Sequence, residues 1–170
     1  MLQRNIANNS IGPSTARGMG PKGTIKSARN FLSSLNIFRL KSKNKLHFQK
    51  NHNKITKELQ KALPVGAKNW GSARKFLNIF FRNILYNKYL CKHYDILHTE
   101  PWLELPLDSH VARGLKSEKG SGHLLRWRTV ISLTPTVNRI YQDFALKVSE
   151  RHNTQRIHLD LLYWRNGNDS

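Results

Sequence analysis

The chain has 170 residues and carries 29 Lys and Arg against 10 Asp and Glu, a formal net charge of +19. This length suits one domain with its own core, and the single cysteine excludes an internal disulfide or a cysteine-rich metal site within one chain. A chain this positive usually needs a polyanion to offset its self-repulsion, which indicates a nucleic acid first and an anionic membrane surface second.

The sequence composition also indicates the binding partner of the protein and its location in the cell. No run of about 18 apolar residues occurs, so no membrane span is expected. DNA is the expected partner, RNA stays open, and the sequence identifies no protein partner. The N-terminal residues lack the apolar core of a secretory signal, so we expect an intracellular, DNA-associated protein. Their richness in Arg, Lys, Ser and Asn leaves targeting to an organelle open.

Residues 1–23 predict a flexible basic arm, because glycines and prolines interrupt a stretch with almost no apolar periodicity. Glu58 is the first acidic residue of the chain, and twelve Lys and Arg precede it. An unopposed positive block of this kind indicates a segment that binds phosphate or is read by a receptor. The remaining residues, 24–170, predict a single, mainly α-helical domain.

Apolar residues at helical spacing predict the first two helices. One spans residues 24–38. The second spans residues 54–63, with Asn53 as its N-cap, and it follows a basic, Asn-rich connection over residues 41–53. Pro64 ends this second helix.

A turn and a long helix are predicted next. The stretch LPVGAKNWG, residues 63–71, has the glycines and the proline of a turn. An amphipathic helix then runs from Ser72 to about His93, and its phenylalanines are expected in the core. Lys75, Asn78 and Arg82 share a different face of this helix.

The C-terminal half predicts shorter elements. Asp108 begins a short helix that ends near Gly114. Thr134 followed by Pro135 is a typical helix start, and the apolar spacing carries that helix to about residue 151. Residues 156–164 favour a closing helix.

Asp108 and Lys75 are the candidate chemical groups. Asp108 stands where an N-cap carboxylate bonds the free amides of a first turn, and the helix N-terminus also keeps a carboxylate charged and available as a base. Lys75 can be an ordinary solvated lysine, or a nucleophile if burial or a neighbouring cation lowers its pKa. No metal spacing of histidines occurs, so neither a metal nor another cofactor is predicted.

Two strings carry a resemblance to a known family. Leu-Pro and two glycines in residues 63–71 lead into a helix with Lys75, and Leu-Pro-Leu-Asp-Ser-His-Val follows over residues 105–111. This order resembles the helix-hairpin-helix base-excision DNA glycosylases over residues 63–114. Asp108 follows Lys75 by 33 positions, longer than in most of that superfamily and similar to its archaeal 8-oxoguanine branch.

The resemblance implies a base-excision activity on an oxidised base, with lyase chemistry. It gives Asp108 the role of the activating and charge-stabilising carboxylate, and Lys75 the role of the nucleophile that forms a Schiff base with the sugar. Lys88 is the alternative nucleophile, since it lies 20 positions before Asp108. The target base would be flipped out of the stack.

The predicted DNA-binding residues lie in the hairpin, beside the two motifs and in an Arg-Trp-Arg patch that presents cations and a ring to phosphate and base. They are Gly66, Lys68, Gly71, Arg74, Arg82, Arg113, Arg126, Trp127 and Arg128. The alternative function is a non-catalytic basic helical protein that binds nucleic acid through such residues. The sequence does not identify which base is recognised.

Overall fold

The computed structural model describes residues 1–166, and for residues 164–166 it describes the backbone only. Within this range the chain forms helices and no strand, so the prediction of a mainly α, single-domain protein is confirmed. The helices are α1 (Leu2–Ser10), α2 (Thr24–Ser34), α3 (Lys45–Ala62), α4 (Trp70–Tyr86), α5 (Lys88–Tyr94), α6 (Ser109–Ser117), α7 (Pro135–Arg151) and α8 (Leu159–Asn166). Short 3₁₀ turns lie at Ile37–Leu40, Val65–Ala67, Leu97–Trp102, Ser121–His123 and Arg156–His158. Residues 167–170 of the predicted domain lie outside the described part.

Asparagine side chains fix several helix starts. Asn44 accepts a hydrogen bond from the His47 amide and begins α3 nine residues before the predicted start. The predicted basic connection over residues 41–53 is therefore mostly helix, since Phe48 is buried on the same face as the later apolar residues. Asn69 caps α4 in the same way.

Asn87 divides the long helix that the apolar spacing predicts. Its amide bonds the last turn of α4, and its side chain accepts from the Leu90 amide to begin α5. The predicted single helix to His93 is wrong for this reason. By contrast, Thr134 and Pro135 begin α7 as predicted, and α7 ends at Arg151.

The N-terminal region differs from the predicted flexible arm. Residues 2–10 form α1, which packs on α2 and α4, and Ala7, Ile11 and Met19 are buried in the core. The Gln3 side chain donates to the carbonyls of Leu32 and Leu35, which ties α1 to the end of α2. The composition rich in Gly and Pro predicts a flexible arm, but these apolar side chains and the Gln3 amide dock the segment on α2 and α4.

Two apolar clusters make up the core. The first cluster contains residues from all of the helices α1 through α5, including the phenylalanines of α4, as predicted. The second lies among α6, α7 and α8 around Tyr141 and Phe144. Residues 103–108 run between the clusters and lead into α6. No helix within residues 1–166 combines the length and apolar character needed to cross a bilayer.

Candidate active site

Lys75 lies in the second turn of α4 and only 8 % of it is exposed. Its Nζ lies 3.5 Å from Oδ2 of Asp108 and donates a hydrogen bond of 3.2 Å to the Thr15 carbonyl. Burial lowers the pKa of the Lys75 amine below its ordinary value, and the Asp108 carboxylate raises that pKa again in part. Lys75 is thus closer to the neutral, nucleophilic form than a surface lysine is.

Asp108 uses its two carboxylate oxygens for different contacts. Oδ1 accepts from the amides of His110 and Val111, each at 3.0 Å, and so caps α6. Oδ2 faces Lys75. The helix-cap role and the ion-pair role are therefore compatible in one side chain.

A second ion pair lies directly beside the first. Arg74 Nε lies 3.0 Å from Oε2 of Glu104, and Asn138 donates to the same oxygen at 3.0 Å. Burial alone would raise the pKa of the Glu104 carboxyl, but the buried arginines, His52 and this amide lower it to about 2. Because Arg74 and Lys75 are neighbours on α4, this pair holds α4 against the segment that ends in Asp108.

His52 belongs to the same buried polar region. Burial and the adjacent Arg74 lower the pKa of the imidazole to about 3, so it is neutral at physiological pH. Arg156 completes the region by donating to the carbonyls of Trp102 and Leu103. These contacts are structural, since none of the three side chains Arg74, His52 and Arg156 lines the cleft described next.

A cleft of about 900 Å³ lies where Lys75 and Asp108 meet. Its walls come from residues between 9 and 19, from one face of α4, from residues 106–111, from residues 127–131 and from Asp160. The face of α4 that lines it carries Lys75, Ile79, Arg82 and Asn83, which follow helical spacing. Ligand sites typically enclose about 300–1,000 Å³, so the cleft is large enough for a nucleotide-sized group.

Two side chains in the cleft wall hold polar atoms without a partner among the described residues. They are Oδ1 of Asp160 and Nε1 of Trp127. The other oxygen of Asp160 pairs with Arg82, and burial lowers the pKa of that guanidinium below its ordinary value. Both atoms are themselves buried, so they are not part of the open surface that a ligand in the cleft would contact.

The structure divides the predicted DNA-binding residues into three groups. Gly66 and Lys68 are exposed in the α3–α4 connection. Arg113 is exposed on α6, Arg128 is exposed in the cleft wall, and Arg126 is exposed beside Trp127 in the chain. Trp127 and Arg82 are half-buried in the cleft wall.

Gly71 and Arg74 form the third group and differ from the prediction. Gly71 lies inside α4, and a Cβ there would lie 1.9 Å from the Val130 carbonyl oxygen. Only glycine fits at position 71, because the loop before α7 approaches the backbone of α4 so closely there. The sequence instead predicts that Gly71 lies in a phosphate-binding hairpin. Arg74 is buried in its pair with Glu104, so neither residue is available to DNA.

The alternative nucleophile is not brought to the site. Lys88 is exposed at the start of α5 and does not line the cleft. Sequence reasoning missed the wall formed by residues 9–19, because nothing in that glycine-containing stretch marks it as part of a site. It also missed Asp160, whose pairing with Arg82 depends on the position of α8.

The part of the chain that the structure describes holds no group of three or more His, Cys, Asp or Glu arranged to bind a metal ion. Comparison with known proteins returned no match: no family model, no curated protein and no solved structure is significantly similar to this chain. The geometry of the cleft and the motif resemblance are therefore the two indications of its function.

Proposed function

We propose that the protein is a DNA glycosylase with lyase activity, similar to the helix-hairpin-helix base-excision enzymes, that removes an oxidised base. The observation that carries the proposal is the pair formed by the buried Lys75 amine and the Asp108 carboxylate, 3.5 Å apart in the cleft. A net charge of +19 supports DNA as the substrate.

The pair has the groups that nucleophilic displacement at a sugar carbon requires. The neutral Lys75 amine attacks C1′ of the damaged nucleoside, and Asp108 accepts the proton that the nitrogen loses. The glycosidic C1′–N bond breaks with its electron pair on the base, which takes a proton from water. The nitrogen lone pair then forms a protonated C=N bond between the sugar and Nζ, while the C1′–O4′ bond breaks with its electron pair on O4′, which takes the proton from Asp108. Strand cleavage proceeds from this Schiff base.

The surroundings of the pair suit a base that has left the duplex. Enzymes that act on a base extrude it into an enclosed pocket and read its edges there. The cleft has the volume to accommodate such a base, and the exposed Arg17 and Arg128 at its wall place positive charge where the flanking phosphates would lie. Gly66 and Lys68 in the α3–α4 connection are proposed to make further contacts to the DNA backbone.

Borohydride trapping tests the proposal directly. The folded protein is incubated with duplexes that contain 8-oxoguanine, other oxidised bases or no lesion, and borohydride reduces any Schiff base to a stable adduct. We expect a lesion-dependent adduct that disappears in Lys75→Gln and persists in Lys88→Gln. Absence of an adduct and of base release from folded wild-type protein, on every duplex, would refute the enzymatic proposal.

Asp108→Asn separates this proposal from the alternative of a non-catalytic nucleic-acid-binding protein, which the charge alone also favours. Asparagine is as good an N-cap as aspartate, so the α6 cap is retained while the base is lost. An enzyme should retain DNA affinity and lose trapping by about 100-fold or more. A binding protein should show salt-sensitive affinity that the substitution leaves unchanged, with no adduct in either form.

A further inference from the structure

The N-terminal segment contributes directly to the environment of Lys75. Nζ has two oxygen acceptors within hydrogen-bonding or ion-pair distance among the described residues: Oδ2 of Asp108 at 3.5 Å and the Thr15 carbonyl at 3.2 Å. A neutral amine has two N–H bonds and one lone pair around a tetrahedral nitrogen. If the two N–H bonds point at these two oxygens, the direction of the lone pair is fixed.

The Thr15 carbonyl is itself held by a chain of hydrogen bonds that reaches back to α4. The Thr15 hydroxyl donates to the Ser10 carbonyl at 3.2 Å, and the Asn83 amide donates to the Ser10 hydroxyl at 2.9 Å. Ser10 is buried, and its hydroxyl donates in turn to the Ile6 carbonyl. Asn83 lies two helical turns after Lys75, so one helix carries both the amine and the anchor of its carbonyl acceptor.

We infer that Thr15, Ser10 and Asn83 are positioning residues that fix the orientation of the Lys75 amine through the Thr15 carbonyl. The inference rests on the proposed function and adds that the N-terminal segment completes the active site. Without this second acceptor, Nζ would be restrained by Asp108 alone and would sample several rotamers. Nucleophilic attack depends strongly on such alignment.

Thr15→Val and Thr15→Ser are the matched variants. Valine has the shape of threonine and lacks the hydroxyl that bonds the Ser10 carbonyl, whereas serine keeps the hydroxyl. We expect single-turnover trapping at saturating DNA to fall about 10-fold or more in Thr15→Val, because small misplacements of reacting groups have effects of this size. Thr15→Ser should restore most of the rate, and Asn83→Ala should behave as Thr15→Val does.

Gln3→Ala is the control for stability. Gln3 ties α1 to the end of α2 and does not line the cleft, so its loss weakens the N-terminal docking away from Lys75. At equal thermal stability and equal affinity for undamaged duplex, only Thr15→Val and Asn83→Ala should lose trapping rate.

A second measurement keeps the inference testable if the enzymatic proposal fails. In protein with ¹³C-labelled lysine, the Lys75 Cε methylene signal is assigned by its loss in Lys75→Arg, and its two protons are inequivalent when the side chain is immobile. We expect inequivalent protons in the wild type and averaged protons in Thr15→Val. That result without any trapped adduct would retain the positioning role and reject the glycosylase. Unchanged inequivalence together with unchanged trapping in Thr15→Val would reject the positioning role and retain the glycosylase.

Discussion

Replacement of Glu104 by glutamine tests whether the buried ion pair organises the site. The substitution keeps the size of the side chain, removes its charge and leaves Arg74, which is only 5 % exposed, without a counter-ion. The folded pKa of about 2, against an ordinary value of 4.5, corresponds to about 3 kcal/mol of stability at neutral pH. This value agrees with the loss of about 3–5 kcal/mol that typically follows removal of one partner from a buried ion pair.

The pH dependence of this loss has a definite sign. The folded pKa of Glu104 is depressed, so its contribution is complete above pH 4.5 and is lost as the pH falls towards about 2. The difference in unfolding free energy between wild type and Glu104→Gln should therefore be about 3 kcal/mol at pH 7 and shrink by about 1.4 kcal/mol per pH unit below 4.5.

Urea denaturation of both proteins between pH 7 and pH 3.5 measures this difference. Subtracting one protein from the other removes the general effect of acid on a highly positive chain. Glu150→Gln, an exposed position on α7, is the control and should change stability by less than about 0.5 kcal/mol. A difference below about 1 kcal/mol at pH 7, or one that stays constant from pH 7 to pH 3.5, would contradict the reasoning from linkage.

Two further predictions concern packing and charge. Gly71→Ala should destabilise the protein by about 1–3 kcal/mol in urea denaturation, because the new Cβ overlaps the Val130 carbonyl. The control is Gly122→Ala, since Gly122 is exposed and has open space around it. A Gly71→Ala protein more stable than the wild type would disprove the close approach. Four exposed lysines follow helical spacing on α3, and their joint replacement by glutamine should reduce the slope of log affinity for DNA against log salt by up to about 3.5. These are Lys50, Lys54, Lys57 and Lys61. Four other exposed lysines serve as the charge-matched control, and an equal loss of slope in both proteins would show that α3 has no special role. These are Lys92, Lys116, Lys119 and Lys147.

Much of the helical architecture was predictable because local signals and tertiary packing agree. Thr134 and Pro135 mark the start of α7 by side-chain capping and a fixed backbone angle, and the structure has the helix there. Where two asparagines compete as caps, local sequence is insufficient. Asn53 resembles a cap, but Asn44 begins α3, and the Asn53 side chain instead accepts a hydrogen bond from Arg74.

The candidate site was predictable only in part. The two catalytic candidates were selected by motif order, and the structure brings Lys75 and Asp108 together. Arg74 and Arg82 looked like DNA-binding residues because charge alone does not distinguish an exposed arginine from one that pairs with a buried carboxylate. Those carboxylates, Glu104 and Asp160, lie 30 and 78 positions away in the chain, so only the folded structure identifies the pairs.

The adjacent ion pairs from Arg74 to Glu104 and from Lys75 to Asp108 join α4 directly to the segment that leads into α6. Residues 84–105 contribute nothing to the lining of the cleft, and they contain α5 and the 3₁₀ turn at Leu97–Trp102. An insertion at an exposed position within residues 86–101 should leave the Lys75–Asp108 distance unchanged, since this range excludes Glu104 and the Arg74–Glu104 pair sets the register of the two segments. The 33-position interval between Lys75 and Asp108 therefore reflects the length of this connection and carries no information about the distance between the two side chains.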